Sequence, residues 1–573
     1  MATQKNVILV GVGPGVLRPS SHIATGGEGS VYRLGGMAAK IFTDPSKMLQ
    51  DDMVGKVGAL SQIKHPWIVA PQGIVTDSRH TPIGYYMPYV VGQALPRYFT
   101  NDFRAQVGFT DTDSSHLAEG MRQIVQVAHD NMSVIVDGNE NAWLIHKGTH
   151  PEPRIVDVDS WQIRQWKAKV IMPSIMDYHK QSFNKLTDWF SWGVVTFQLY
   201  TGIHPFKGTL DGYARNDFIS RMKANASVFS PGVRLNQAVR DFSCIPPRLC
   251  SWYERTFQTT ERTKPPSPFD SAVQASPQTT VLRVVVQSHG GQLVFKRLYQ
   301  PPANDRVIRV FDCGVALLSS KTLVNLNNGY IIGHTATLDS EVVYAEGGWL
   351  VVENQGETMQ AWYTEGRQDR TDIILALNGS GMLRFQNRIF VVTPHGLSEL
   401  VLHLFSKPVV TVLATWSIME SSTQFFEGLG VQDTLGSKFL LLPHGTNMLS
   451  YLKTPELDKL RVVNARAAEG YVVVVGIDSK GAYQKLEYVL SKDYASYAVI
   501  QVEVDSPELI LASLPQGQVA SVVQDGELSV FVPANGKTSV FTDKSIATNE
   551  PLFCSDNKIV LIRAGSVWHV SVR

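Results

Sequence analysis

A proline-rich stretch, ERTKPPSPFDSAVQASPQT at 261–279, separates two parts of the chain that differ in their pattern of apolar residues. Such a composition is typical of linkers. Before it, apolar residues recur at helical spacing, as in SSHLAEGMRQIVQVAHDN at 114–131. After it, short runs of valine, isoleucine, leucine and tyrosine alternate with glycine-containing turns. A chain of 573 residues is also too long for one core, so we expect two or three domains.

The domain boundaries follow from this change in the pattern of apolar residues. We predict an N-terminal strand or extension at 1–19, a domain of mixed helices and strands at 20–262, a linker at 263–279, and an all-β domain at 280–573.

Glycine turns recur throughout the second half. They are NNG at 327–329, EGG at 346–348, NGSG at 378–381, HG at 395–396 and 444–445, SKG at 479–481, DGE at 525–527, NGK at 535–537 and AGS at 564–566. We predict hairpin turns with positive φ at these positions. So many short strands favour a β-propeller, because radial repetition leaves only short edges. At about 40–45 residues per repeat, six or seven blades would fit. Two stacked sandwiches or a large barrel are the alternatives.

Composition and charge exclude several classes of protein. The net charge is +1, so no global field recruits nucleic acid or an anionic membrane. The four cysteines form no CxxC or Cys/His cluster, which argues against a zinc site or a disulfide framework. The N-terminal apolar run lacks a basic flank and a cleavage site, and no long apolar stretch follows. We therefore expect a cytoplasmic protein without nucleic-acid or membrane partners.

Two glycine-rich stretches differ in what they predict. VGVGPGV near the N-terminus has GxGxG spacing and no helix after it, so we interpret it as a β-turn and not as a dinucleotide site. IATGGEGSVYRLGGMAAKIF at 23–42 places Gly26, Gly27 and Gly29 between two strand-like runs. Backbone N–H groups of such a hairpin can cover phosphates. Val31 could then cover an adenine ring, and Lys40 could reach the α- and β-phosphates.

Further motifs follow in order along residues 20–262. They are HPWIV at 65–69, GYYMPYVVGQAL at 84–95, RIVDVDSWQI at 154–163, TDWFSWGVVTFQLYTGIHPFKG at 187–208 and WYERTFQTTERTKPP at 252–266. Together with the glycine hairpin, this series resembles the protein kinase superfamily. The DxDSxQ and GIHPFKG segments resemble divergent bacterial or phage kinases. The resemblance implies an α+β bilobal fold, with a β-sheet and a helix in the N-lobe and a helical C-lobe.

The resemblance also implies a site for ATP and Mg²⁺. Asp137, in SVIVDGNENAWLI, would be the catalytic base, eight residues after His129 and twenty before the metal-binding Asp157. Lys40 would be the second catalytic residue, and Asn141 the second candidate metal ligand. The implied nucleotide-binding residues are Gly26, Gly27, Gly29, Val31, Ala38, Lys40, the gatekeeper Met87, Pro88 and Val90.

Several positions depart from the kinase pattern. Lys56 stands where the glutamate partner of Lys40 is expected, and Asp51 and Asp52 could replace that glutamate only if the helix shifts. Ala142 replaces the metal-binding asparagine, one residue after Asn141. Other departures are Ile135 and Val136 in place of His-Arg, Asn139 in place of a lysine, and Ser174 in place of the glutamate that pairs with Arg262.

Two hypotheses remain open at this stage. The retained Lys40, Asp137 and Asp157 favour an enzyme, a serine/threonine protein kinase whose β-domain recruits a protein substrate or partner. The departures favour a pseudokinase that acts as a nucleotide-binding or purely protein-interaction scaffold. Asn139 is a weak indication of a small-molecule substrate. We expect Asp188 to be structural, and Asp159 to be a hydrogen-bonding loop residue.

Overall fold

A computed structural model describes residues 4–148, 150–214, 217–270, 282–283, 293–334, 336–337, 339–354, 358–366, 369–375, 377–514, 517–533 and 537–572. The first half mixes helices and strands, and the second half is built of strands. Within these residues, no helix combines the length and apolar character needed to cross a membrane. Of the predicted linker, residues 271–279 lie outside the described residues.

The chain begins with one antiparallel sheet of seven strands. The strands are β1 (Lys5–Leu9), β2 (Gly13–Leu17), β3 (His22–Thr25), β4 (Gly29–Leu34), β5 (Met37–Phe42), β6 (Gly73–Thr76) and β7 (Pro82–Pro88), in the order β2-β1-β6-β7-β5-β4-β3. VGVGPGV is the turn of the first hairpin, where Gly11 and Gly13 have φ of 85° and 138°. Pairing of β1 with β6 makes this hairpin part of the same sheet.

Helices dominate the rest of the first half. They are α1 (Lys47–Gln50), α2 (Met53–Leu60), α3 (Asn101–Val107), α4 (Asp111–Asp130), α5 (Lys185–Thr201), α6 (Phe218–Lys223) and α7 (Pro247–Gln258). The amphipathic α4 begins at a capping box on Thr110. Helix α5 is buried on nearly all sides, because its apolar residues surround the axis. Trp192 of α5 packs against Trp252 of α7 in the centre of this core.

Short strands connect these helices. They are β8 (Gln93–Ala94), β9 (Ser133–Val134), β10 (Trp143–His146), β11 (Glu152–Ile155), β12 (Gln162–Ile163), β13 (Arg234–Leu235) and β14 (Leu282–Arg283). Strands β10 and β11 form the hairpin expected between Asp137 and Asp157. Strand β14 pairs in parallel with β13, so the chain returns to the first half after the linker.

The second half contains seven four-stranded antiparallel sheets in its described residues. Six of them are β16 (Val307–Phe311), β17 (Val315–Leu318), β18 (Leu323–Asn325) and β19 (Ile331–Gly333); β20 (Ser340–Ala345), β21 (Gly348–Asn354), β22 (Met359–Thr364) and β23 (Thr371–Ile373); β24 (Gly381–Phe385), β25 (Arg388–Thr393), β26 (Gly396–Leu404) and β27 (Pro408–Trp416); β28 (Thr423–Phe426), β29 (Leu429–Thr434), β30 (Ser437–His444) and β31 (Met448–Lys453); β32 (Arg461–Ala468), β33 (Tyr471–Ile477), β34 (Tyr483–Leu490) and β35 (Tyr497–Val504); and β36 (Leu511–Ser513), β37 (Val519–Gln524), β38 (Glu527–Val532) and β39 (Lys537–Thr542).

The remaining sheet joins the two ends of this half. It consists of β15 (Leu293–Tyr299), β40 (Leu552–Ser555), β41 (Lys558–Arg563) and β42 (Ser566–Val572), in the order β15-β42-β41-β40. Strand β15, the first strand of these seven sheets, therefore pairs with β42, the last of them. Strand β40 also contacts β16, the first strand of the next sheet.

Most of the predicted glycine turns are confirmed. Gly329, Gly347, Gly396, Gly445, Gly481, Gly526 and Gly565 all have positive φ and lie at or between paired strands. The prediction for NGSG at 378–381 is wrong, since neither of its glycines has positive φ and the segment leads from one sheet into the next. The turn NGK at 535–537 includes two residues outside the described ones.

An ion-pair network around two buried arginines connects the two halves. Arg384 on β24 pairs with Glu341 on β20 at 3.1 Å and with Glu427 at 3.5 Å. Arg466 on β32 pairs with the same Glu427 at 2.7 Å. Asp102, at the N-terminus of α3, joins this network through Arg466 at 3.0 Å. The first strands of several sheets are therefore docked onto a helix of the first half.

Candidate active site

A cavity of about 2240 Å³ lies between the first sheet and the helices, and its outer wall comes from the second half. Every site residue predicted from the sequence lines this cavity: Gly26, Gly27, Gly29, Val31, Ala38, Lys40, Met87, Pro88, Val90, Asp137, Asn141 and Asp157. The fold thus brings together residues from segments more than a hundred positions apart.

The glycine hairpin covers one side of the cavity. A side chain at Gly29 would collide with the carbonyl of Ile41 on β5, so the close approach of the two strands requires glycine there. A side chain at Gly27 would meet no described residue, and one at Gly26 would lie 4.0 Å from the Gly29 carbonyl without a collision. The loop at Gly26 and Gly27 therefore leaves room for a ligand to approach its backbone.

An apolar wall lies below the hairpin. Val31, Ala38 and Met87 pack together with Val156, which immediately precedes Asp157. Register places Val31 opposite Lys40 and Ala38 opposite Met87 on neighbouring strands. The apolar wall and the charged residues are therefore adjacent, an arrangement suited to a ligand with a flat apolar ring and an anionic group.

Lys40 is fixed by two aspartates of the segment RIVDVDSWQI. Its Nζ lies 2.8 Å and 2.9 Å from the two carboxylate oxygens of Asp159 and 3.6 Å from Asp157. Tyr85 donates its hydroxyl to Asp159 at 2.7 Å. Burial opposes the charge on Lys40, yet the Asp159 and Asp157 carboxylates hold its pKa above the ordinary value.

Asp159 is a hydrogen-bonding loop residue, as predicted, but sequence reasoning missed that it is the partner of Lys40. Burial favours its neutral form, but Lys40 and Tyr85 keep its pKa below the usual range, so it stays ionised. It supplies the carboxylate that the pattern placed at position 56. Lys56 instead donates its ammonium to the backbone carbonyl of Asp159 at 2.6 Å. The lysine at 56 and the second aspartate of DVD were the available signals.

The two other candidate partners of Lys40 are engaged elsewhere. Asp51 pairs with Lys169 at 2.7 Å. Asp52 caps α2 by accepting the N–H of Gly55, and it also accepts the indole N–H of Trp166. No helix shift brings these aspartates to the lysine, because Asp159 already occupies that place.

Asp137 lies on a strained loop held by Asp188. The preceding residue, Val136, is β-branched and has φ of 65°, a conformation that costs energy for such a side chain. Asp188 accepts the N–H groups of Ile135 and Val136, each at 2.8 Å, and contacts His129 Nε2 at 2.9 Å. Asp188 therefore has the structural role expected of it.

The side chain of Asp137 faces the cavity from a nearly closed environment. One carboxylate oxygen accepts the N–H of Met172 at 2.9 Å. Burial raises the pKa of Asp137, and the charge of Asp157 raises it further. A carboxylate with a raised pKa is a better proton acceptor than a solvated one, which suits a general base.

The loop after Asp137 contains unsatisfied polar oxygens. The Asn141 Oδ1 atom is buried and has no hydrogen-bond partner among the described residues. Glu140 is fully enclosed, and burial raises its pKa to about 7. Asn139 accepts the N–H of Asn141 at 2.8 Å and so shapes the loop.

The donors fit a magnesium ion. Asp157 has a half-exposed side chain that lines the cavity, and Asn141 offers an uncommitted amide oxygen on the opposite loop. Mg²⁺ prefers such oxygen ligands and is commonly held by one or two of them together with phosphates and water. No cluster of three histidine, cysteine or acidic residues forms a denser metal site in the described parts of the chain.

A second buried ion pair lies away from the cavity. Arg262 binds both carboxylate oxygens of Asp177, at 2.7 Å and 3.0 Å. Ser174, at the position where the pattern places a glutamate, makes no such pair and instead accepts His204 Nε2 through its carbonyl at 2.8 Å. The partner of Arg262 is thus an aspartate three residues further along the chain.

Comparisons with known proteins add no family to these observations. No protein-family model matches the chain, and no curated protein is significantly similar to it.

Proposed function

We propose that this protein is an ATP- and Mg²⁺-dependent phosphotransferase with a bilobal protein kinase-like domain. The observation that carries the proposal is the convergence of Lys40, Asp137 and Asp157 on one cavity with a glycine hairpin and an apolar wall. The sequence motifs predicted Lys40, Asp137 and Asp157 as one set, and all three line this cavity although they come from distant segments.

Each residue has a distinct role in this proposal. Lys40, aimed by Asp159, holds the α- and β-phosphates, and the apolar wall holds the adenine. Asp157 and Asn141 would bind Mg²⁺, which neutralises phosphate charge when it is present. Asp137 orients the hydroxyl group of the substrate and accepts its proton. We propose a serine or threonine hydroxyl as the acceptor.

We further propose that the second half is a seven-bladed β-propeller. Seven sheets of equal strand number succeed one another, and the pairing of β15 with β42 would close the ring between the first and last blades. Its role would be to recruit a protein substrate or a partner.

One specific observation favours the scaffold alternative. Gly481, on a turn of the second half, lies so close to Ser174 that any side chain there would collide with the serine hydroxyl. The second half therefore covers the segment next to Met172, which contacts Asp137. A protein with this face covered could act through its contacts alone.

Transfer of radiolabelled γ-phosphate by the full-length protein tests the proposal. We expect incorporation into protein substrate mixtures or into the chain itself, and loss of it in Asp157→Asn. Asp51→Asn is the matched control, since Asp51 lines the cavity rim but only pairs with Lys169. Equal incorporation by the wild type and Asp157→Asn, or none in either together with ATP binding, would support the scaffold instead.

A further inference from the structure

The cavity contains a cation from the second half, Arg461, the first residue of β32. Its Nη1 donates to the backbone carbonyl of Asn141 at 2.8 Å, across 320 residues of sequence. It lines the same cavity as Lys40, Asp137 and Asp157. The guanidinium group therefore lies at the loop that carries the proposed base and metal ligand.

Arg461 supplies a positive charge that the neighbouring loop lacks. The loop from Ser133 to Ile145 contains four acidic or amide side chains after Val136 but no lysine or arginine. Arg461 is exposed and lines the cavity, and Asp157 and Glu140 favour its charged form. Arg461 is thus the cation that the second half contributes to the loop.

Most of the hydrogen-bonding capacity of Arg461 is uncommitted. A guanidinium group has five N–H donors, and among the described residues only the Asn141 carbonyl accepts one of them. No carboxylate of the described residues lies within ion-pair distance. Two other cations of the second half, Arg466 and Lys438, do form ion pairs. Arg466 pairs with Asp102 and Glu427, and Lys438 pairs with Asp433.

We propose that Arg461 binds the terminal phosphate of a nucleoside triphosphate in this cavity, so that the second half completes the site. The inference rests on the proposed function. An arginine brought to a transferring phosphoryl group can bind it through two N–H donors and neutralise charge that develops there. The ligand class is a nucleoside triphosphate in preference to a diphosphate.

The position of Arg461 depends on the docking of the two halves. Asp102 and Arg466 form one anchor, and Glu508 forms another by accepting the backbone N–H of Asn101. Both anchors lie on α3 and not on the loop of Asp137. Binding of the terminal phosphate therefore couples the nucleotide state to contact between the halves.

The test compares the affinities of the full-length protein for Mg²⁺-ADP and for Mg²⁺ with β,γ-imido-ATP. Arg461→Gln keeps an N–H donor for the Asn141 carbonyl but removes the charge, and Arg461→Lys keeps the charge. We expect Arg461→Gln to weaken binding of the triphosphate analogue about tenfold and ADP less than twofold, with Arg461→Lys between it and the wild type. Lys459→Ala, a neighbouring cation at the cavity, is the control and should change neither.

The outcomes separate this inference from the proposed function. Equal loss of both affinities in Arg461→Gln would assign the residue to domain docking, and no loss would leave it without a phosphate role; either result overturns the inference alone. If the wild type binds neither nucleotide, the proposed function fails and the inference fails with it. Thermal melting of each variant verifies that the halves remain folded.

Discussion

A buried pair of a basic residue and an aspartate in the cavity can be compared with another such pair in the helical core. Lys40 pairs with Asp159 in the cavity, and Arg262 pairs with Asp177 in the core. In both pairs the carboxylate comes from a position other than the one the kinase pattern assigns. Each buried basic residue therefore has a carboxylate partner, but at a different position from the one that the motifs predict.

The surroundings of the two pairs differ. The side chains of Arg262 and Asp177 are 1% and 0% exposed, and the guanidinium also stacks on Phe190 and binds three carbonyls. Lys40 has a second carboxylate, Asp157, which is 52% exposed and faces the cavity. The core pair is closed on itself, whereas the cavity pair has a half-exposed carboxylate beside it.

The largest effect should come from breaking the closed pair. Asp177→Ala leaves the Arg262 charge buried without a partner, which costs about 3–5 kcal/mol of unfolding free energy. Urea denaturation of the full-length protein would measure this loss of unfolding free energy. Asp211→Ala, which breaks the exposed pair with Arg234, is the matched control and should leave stability unchanged. A loss in Asp177→Ala as small as in the control would show that the two pairs do not differ as described.

A smaller loss of stability is expected in the cavity. Asp159→Asn removes the charged partner of Lys40, but Asp157 remains 3.6 Å from the ammonium and the cavity admits solvent. We expect a loss of about 1.5–3 kcal/mol, the range for a hydrogen bond to a charged group. The same denaturation series measures it, and a loss greater than in Asp177→Ala would reverse the comparison. ATP affinity should fall as well, since Lys40 is no longer aimed.

The lysine at position 56 should contribute less than either pair. Lys56→Met removes one hydrogen bond to the Asp159 carbonyl while retaining most of the buried side chain. We expect a loss of about 1 kcal/mol, because burial of the ammonium group, which lowers the pKa of Lys56, offsets part of the hydrogen bond. A loss equal to that of Asp159→Asn would instead make Lys56 a principal partner of Asp159. Denaturation of the double variant would decide between this major role and the minor one.

The stability of the protein should also depend on pH. The folded-state pKa of Glu140 is about 7, above the value of about 4.3 expected in the unfolded chain. The folded state therefore holds a proton that the unfolded state has lost, and this contribution to stability is lost as pH rises from about 4.3 to about 7. Denaturation at several pH values should show a shallower decline in Glu140→Gln than in the wild type, and parallel curves would contradict the assignment.

The resemblance of the motifs to kinases predicted that Asp137 and Asp157 would lie at one site, and both line the same cavity. His129, Asp137 and Asp157 are separated by a helix end and a hairpin, whose lengths fix the offsets between them. The partner of Lys40 was not predictable, because a residue 119 positions away replaces one on a nearby helix. Arg461 was equally inaccessible, since only docking of the two halves brings it to Asn141.

In the second half, many of the turns between strands were predictable from the sequence. Glycine turns at hairpins require positive φ, so they mark strand boundaries by a local rule. NGSG failed because its glycines lie in a crossover between sheets, where the backbone stays in ordinary conformations. The ion pair between Asp102 on α3 and Arg466 on β32 joins distant segments and leaves no local pattern in the sequence.

Single-turnover transfer of γ-phosphate from ATP, in the presence of Mg²⁺, tests the central proposal most directly. The full-length protein, Asp137→Asn and Asp157→Asn would be compared after ATP affinity is measured for each. We expect transfer by the wild type, a fall of at least about a hundredfold in Asp137→Asn with ATP affinity retained, and loss of Mg²⁺-dependent transfer in Asp157→Asn. Transfer at the wild-type rate in both variants would contradict the assignment of this cavity as the catalytic site.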